Sequence, residues 1–212
     1  MPAIGEADVA AACDLVCQFL EPLSGRNWTA HPPDLDWSCE RTLQHVINTE
    51  LYYAMHLATS ASSPIPFPRG PAAAAGLGPP ELLTELRAIN AVLVAVIRTA
   101  APSTRAVFAG VRTDAVGVAA LACDELFINT WDMGRGLGQA FTPPGDMAQR
   151  VVERLFPWAP KDPDPWSVLL WCNGRTALAD RPRLEPDWPR WIAPLEDWDG
   201  VDPTAKPAPR SR

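Results

Sequence analysis

The chain has no Cys-x-x-Cys pair, no basic surplus and no apolar run of membrane length, and each absence removes a class of function. Its five cysteines, Cys13, Cys17, Cys39, Cys123 and Cys172, are odd in number and carry no thiolate-zinc spacing. Neither a disulfide framework nor a cysteine-held zinc is therefore expected. Cys13 and Cys17 lie one helical turn apart, where buried thiols pack as small hydrophobes. A formal charge of -7 and a pI near 4.9 argue against nucleic acid or an anionic membrane surface as the main partner, since both select basic proteins. A small-molecule or protein partner is left. The longest apolar run, Ala91 to Ile97, falls far short of the roughly 20 residues a spanning helix needs. The N-terminus also lacks a basic segment followed by an apolar one, so a cytoplasmic location is expected.

What is present is a hydrophobic fraction of 47% over 212 residues, enough for one well-filled core with a small appendage. Proline does not fit inside a helix, so the 24 prolines mark where long helices cannot be. The open windows predict four: about Glu6 to Leu20, Ser38 to Thr59, Pro79 through Val96, and Asp114 to the Gly134, Gly136, Gly138 cluster. Ser38 and Asp114 are N-caps, Pro79 and Pro80 suit a helix start, and the glycines permit a left-handed exit. Shorter helices follow at about Gly145 to Phe156 and Trp166 to Leu178. The fold class is all-α, with a bundle over 1–142 and a helical extension over 143–212. Arg105 to Arg112 is the one strand candidate. The Pro-, Ala- and Gly-rich link from Ser60 to Gly78 is a crossover or a flap. The tail's Trp188, Trp191 and Trp198 are expected to pin it to the bundle, in cis in a monomer or across a homodimer.

The most informative stretch is Asp124 to Gly138. From Ala115 to Cys123 no side chain is a strong hydrogen-bonding group, and then Asp124, Glu125, Asn129 and Asp132 follow within little more than two turns. Glu125, Asn129 and Asp132 stand at i, i+4 and i+7, on the face that earlier carries Val118, Leu121 and Ala122. Carboxylates on a protein-facing surface are costly unless paired, hydrogen-bonded or metal-bound. On the second helix, Arg41, His45, Thr49, Tyr52 and His56 form a stripe opposite Leu43, Ile47, Leu51, Ala54 and Ala58. Alone, the stripe reads as solvent-facing. Its rings and hydroxyls, without a lysine, also suit the wall of a wet cavity, which makes Thr49 and Tyr52 candidate substrate contacts. His56 lies about 16 Å along the axis from His45, too far to share an ion with it.

Three ordered motifs carry a family resemblance. Trp37-x7-His45 opens the second helix, Glu-Leu-x4-Trp-Asp-x5-Gly spans Glu125 to Gly138, and Leu-Leu-Trp-x-x-Gly-Arg spans Leu169 to Arg175. Together they resemble the DinB-like superfamily, and within it the mycothiol-dependent maleylpyruvate isomerases and related thiol transferases. The resemblance implies a four-helix bundle with a zinc-like divalent metal at one end of its cavity. Carried over by position, the ligands would be His45, Glu125 and Asn129, the last standing where that branch usually has histidine. The metal would stabilise the thiolate of a mycothiol-type thiol, which adds to an electrophilic carbon; Arg175 would hold a substrate carboxylate or cap the last helix by a salt bridge. Asp132, beside Trp131, is expected to be structural.

A neutral amide is a poor ligand for a first-row metal. Without the ion, burial would raise the Glu125 pKa and make it an acid or base near neutral pH. Asn129 would orient a carbonyl and His45 would be the proton partner of a metal-free isomerase or cyclase. A non-catalytic binder with a degenerate metal site is the third expectation.

Overall fold

The computed structural model describes residues 2–63, 65, 76–108, 110–161, 163–185 and 190–204. Most of the Ser60–Gly78 link, and Trp188, lie outside the described residues. The described chain is mostly helical, as its proline spacing predicts.

Helix α1, Glu6–Leu20, buries Val9, Cys13, Val16, Cys17 and Leu20 along one stripe. Helix α2, Cys39–Ala58, begins as expected at Ser38, whose hydroxyl accepts from the Arg41 backbone N–H at 3.2 Å. Helix α3, Pro79–Thr99, starts on its proline pair and buries Leu82, Leu83, Leu86, Leu93 and Ile97. Helix α4, Ala115–Leu137, is buried on nearly all sides because α1, α2 and a later helix all pack on it. Helices α1 and α2 each touch both α3 and α4, so they stand on opposite corners of a four-helix bundle. Between α3 and α4 the chain forms a small antiparallel hairpin, β1 Ala106–Phe108 and β2 Val111–Thr113, with Val107 opposite Arg112. It hangs on the end of α2 through Val107 N–H donating to the Ala61 carbonyl at 2.9 Å. The strand candidate is thus two short strands in an otherwise helical fold.

Helix α5, Gly145–Leu155, packs on α4, and α6, Pro165–Cys172, packs on α5. The last helix is shorter than the expected Trp166 to Leu178. Gly174 takes φ +64°, and the Arg175 N–H donates back to the Leu170 carbonyl at 2.8 Å, closing the helix in a Schellman turn. The glycine cluster ending α4 also divides its work differently than expected. Gly138 alone of the three is left-handed, at φ +73°, while Gly136 is helical and lies where a β-carbon would stand 2.6 Å from Cys39 Sγ. No helix among the described residues is long and apolar enough to cross a membrane.

Candidate functional site

A cavity of about 220 Å³ opens where the start of α2 faces the middle of α4. His45 stands on the second turn of α2, half-exposed, with the Trp37 ring edge-on at 5.1 Å, and the Arg41 guanidinium lies over the same indole at 4.9 Å. Across the gap, Glu125 Oε2 lies 3.7 Å from His45 Nε2, longer than a hydrogen bond and short enough for one ligand atom to touch both. Asn129, one turn on, donates its amide to that oxygen at 2.9 Å and to the Glu125 backbone carbonyl at 2.8 Å.

The neighbouring carboxylate turns the other way. Asp124 is fully buried, and its Oδ1 accepts from Asn173 at the end of α6 at 2.7 Å. Its Oδ2 meets Arg190 Nε at 3.0 Å. The same guanidinium reaches Glu125 Oε1 at 3.6 Å and donates to Asn173 Oδ1 at 2.9 Å. Two consecutive acids therefore grip one arginine. Burial still lifts the Asp124 carboxyl to about 6, against the pull of Arg190. For Glu125 burial also pushes upward, but His45, Arg190 and Asn129 together outweigh it, and its carboxyl lies below the ordinary value. This corrects the expectation of a raised Glu125: at neutral pH it is an anion, not an acid with a proton to give.

The other candidates separate. Arg175 borders the cavity, but Nε and Nη2 hold both oxygens of buried Asp132 at 2.7 to 3.1 Å, and Nη1 donates to the Asn173 carbonyl. Its fork is turned to a protein carboxylate, and Asp132 is structural as expected. Thr49 and Tyr52 are not on the cavity wall. Tyr52 packs instead against His56, tilted, and edge-on against Phe108. His56 is fully buried, not part of a wet stripe; its Nε2 accepts from the Ile65 N–H, which leaves Nδ1 to donate to the Tyr52 carbonyl. Asp124, Asn173 and Arg190 were not foreseen as site residues. The available signal was that Arg190 is the sole basic residue among the acids between Glu185 and Thr204.

The implied metal meets an ill-fitting donor set. A backbone carbonyl can only accept, so the Asn129 group facing Glu125 is the N–H-bearing nitrogen, which cannot ligate. The other Glu125 oxygen faces a guanidinium. Among the described residues no group of three or more His, Cys, Asp or Glu side chains is arranged to hold an ion. One imidazole and one carboxylate beside a fixed cation do not fit a tightly held zinc-like metal.

No curated protein and no solved structure matches the chain. The sequence model of the DinB superfamily matches residues 10–129, a span that contains His45, Glu125 and Asn129 and stops before Asn173, Arg175 and Arg190. A bundle of this helical make-up, matched over more than half its length with the cavity's two facing groups inside the match, belongs to the DinB superfamily.

Proposed function

We propose that the cavity carries out metal-independent proton transfer on a small, uncharged carbonyl compound, isomerising it. The observation that carries this reading is His45 Nε2 facing an anionic Glu125 at 3.7 Å across an open cavity. Neutral imidazole would take a proton from carbon, Glu125 would stabilise the imidazolium formed, and the proton would return to another carbon of the same substrate. Charge argues for a neutral substrate. The wall carries two carboxylates, Asp124 and Glu125, and two guanidiniums, Arg175 and Arg190, with Asp132 buried behind. No surplus cation remains for a substrate carboxylate, which weighs against a dianion such as maleylpyruvate. The volume, below the ~300 Å³ of typical ligand pockets, suits a small metabolite.

One feature favours a second reading, thiol addition. His45 sits half-exposed at the mouth, where a mycothiol-type thiol can approach from solvent and give its S–H proton to the imidazole; the thiolate would add to the electrophilic carbon, the C=C opening to an enolate that takes the proton back from the imidazolium.

A single substrate pair separates the two. A β,γ-unsaturated cyclic ketone should gain ultraviolet absorbance as it becomes conjugated, with no thiol required. The conjugated ketone with mercaptoethanol should lose absorbance if addition is the reaction. Glu125→Gln and His45→Gln should each lower whichever rate is found by about a hundredfold or more. Full turnover in both variants would sink both readings; no turnover of either ketone by the wild type would leave binding alone.

A further inference from the structure

We propose that Arg190 is the cavity's built-in cation: its guanidinium takes the place between Asp124 and Glu125 where a divalent ion would otherwise be drawn, and so keeps metal out. Asp124 has no exposure to water, and Glu125 beside it has little. Two adjacent carboxylates so placed need a positive partner within a few ångströms. Arg190 provides it through three contacts, Nε to Asp124, Nη1 to Glu125 and Nη2 to Asn173 Oδ1. An arginine keeps its charge at any pH the protein meets, and its planar fork divides between two acceptors as a lysine's point charge does not.

Its position is built rather than accidental. The next residue, Trp191, donates its backbone N–H to the Leu155 carbonyl at the end of α5 at 2.7 Å. The Trp191 carbonyl in turn accepts from buried Arg154 at 3.1 Å, and Arg154 is anchored on the α4 cap, Asp114, at 3.0 Å. The α4–α5 junction thus holds the backbone from which Arg190 reaches the cavity. The two groups that meet Glu125 agree with each other. Asn129 presents an N–H to Glu125 Oε2, and Arg190 presents positive charge to Oε1, so both oxygens face donors and neither faces an ion. With a guanidinium 3.6 Å from Glu125, an ion bridging His45 and Glu125 would sit against a like charge.

The test reads metal binding and leaves turnover aside, so it can fail while the proton-transfer reading stands, and the reverse. Untagged wild type, Asn129→His, and the double variants Asn129→His with Arg190→Met or Arg190→Gln are dialysed against Zn²⁺ and Co²⁺. Bound metal is measured by elemental analysis, and ligand geometry by the visible spectrum of Co²⁺. Wild type and Asn129→His should bind substoichiometrically. Removing the charge as well should give one ion per chain, about a hundredfold tighter than Asn129→His alone. Arg190→Gln, which keeps an uncharged N–H donor on the side chain, covers the case where Arg190→Met does not fold by circular dichroism. Tight, stoichiometric metal on wild type or on Asn129→His would overturn the proposal. So would a folded double variant that binds no better than Asn129→His. Should neither double variant fold, the Asn129→His result decides it in the same two directions.

Discussion

Two buried carboxylates on α4, Asp124 and Asp132, each find a guanidinium, Glu125 shares the first, and the pairings do not respond alike to mutation. Asp132 is 1% exposed and Arg175 is 23% exposed, so the two members of that bridge have different alternatives when separated. Burial holds the Asp132 carboxyl above its ordinary value even with the guanidinium bound to both oxygens. Arg175→Ala would leave a buried acid without its partner and should cost about 3 kcal/mol; Asp132→Asn leaves an arginine that can turn to water and should cost about 1 kcal/mol. Urea denaturation of the two variants gives the order directly. The reverse order would mean that the guanidinium left without its carboxylate, not the carboxylate left without its guanidinium, is the costlier group in the fold.

Helix starts behave as local chemistry dictates, and they were the most readable part of the sequence. Ser38 and Asp114 were legible as caps because an N-cap needs only its own side chain and the N–H three residues on. Asp114 does more than cap. Its Oδ1 accepts from Gly117 N–H at 2.6 Å and also from Arg154 Nη2 at 3.0 Å, with Arg154 itself 4% exposed. Asp114→Ala should therefore cost about 2–4 kcal/mol, beyond the ~1 kcal/mol of a cap alone, while Asp114→Asn, which still caps, should cost less than half as much. Equal losses measured by urea denaturation would show that the cap is the whole effect.

His45 and Glu125 were legible because a polar break in an apolar helix is visible from neighbouring residues. Thr49 and Tyr52 were misplaced because helical spacing gives the face but not the depth: they stand about 6 and 10 Å farther along the axis than His45, past the cavity. The end of α6 was missed because no proline marks it, and Gly174 turns left-handed without any signal a proline count detects. Arg190 was out of reach for a different reason. It meets Asp124 across 66 positions of chain, and what brings it there is the anchoring of Trp191 on α5, a tertiary contact that no local pattern encodes.

The bundle as a whole should lose stability as pH rises from mildly acid to alkaline, because its centre holds a carboxyl that resists ionisation. Glu50 on α2 has no exposure, and its Oε2 accepts from Asn90 of α3 at 2.9 Å. Burial raises it to about 8, with the Asn90 hydrogen bond pulling partly back. The folded protein therefore keeps this proton from its ordinary value near 4.5 up to about 8, while the unfolded chain has released it. A folded state that binds more protons than the unfolded one is weakened by rising pH, and here the full effect is of order 5 kcal/mol, complete only above pH 8. Asp124, raised to about 6, adds a smaller loss of the same sign, so the wild-type profile by itself does not isolate Glu50. The difference between wild type and Glu50→Gln does, since Asp124 contributes equally to both and the amide, close in shape to the protonated acid, never ionises. Unfolding free energies in urea should be similar for the two proteins at pH 5, and the variant should gain steadily on wild type until it leads by several kcal/mol at pH 9. Parallel curves would mean that Glu50 is already ionised in the folded bundle at pH 5, and that the cation facing it has to be sought among the groups around α2 and α3.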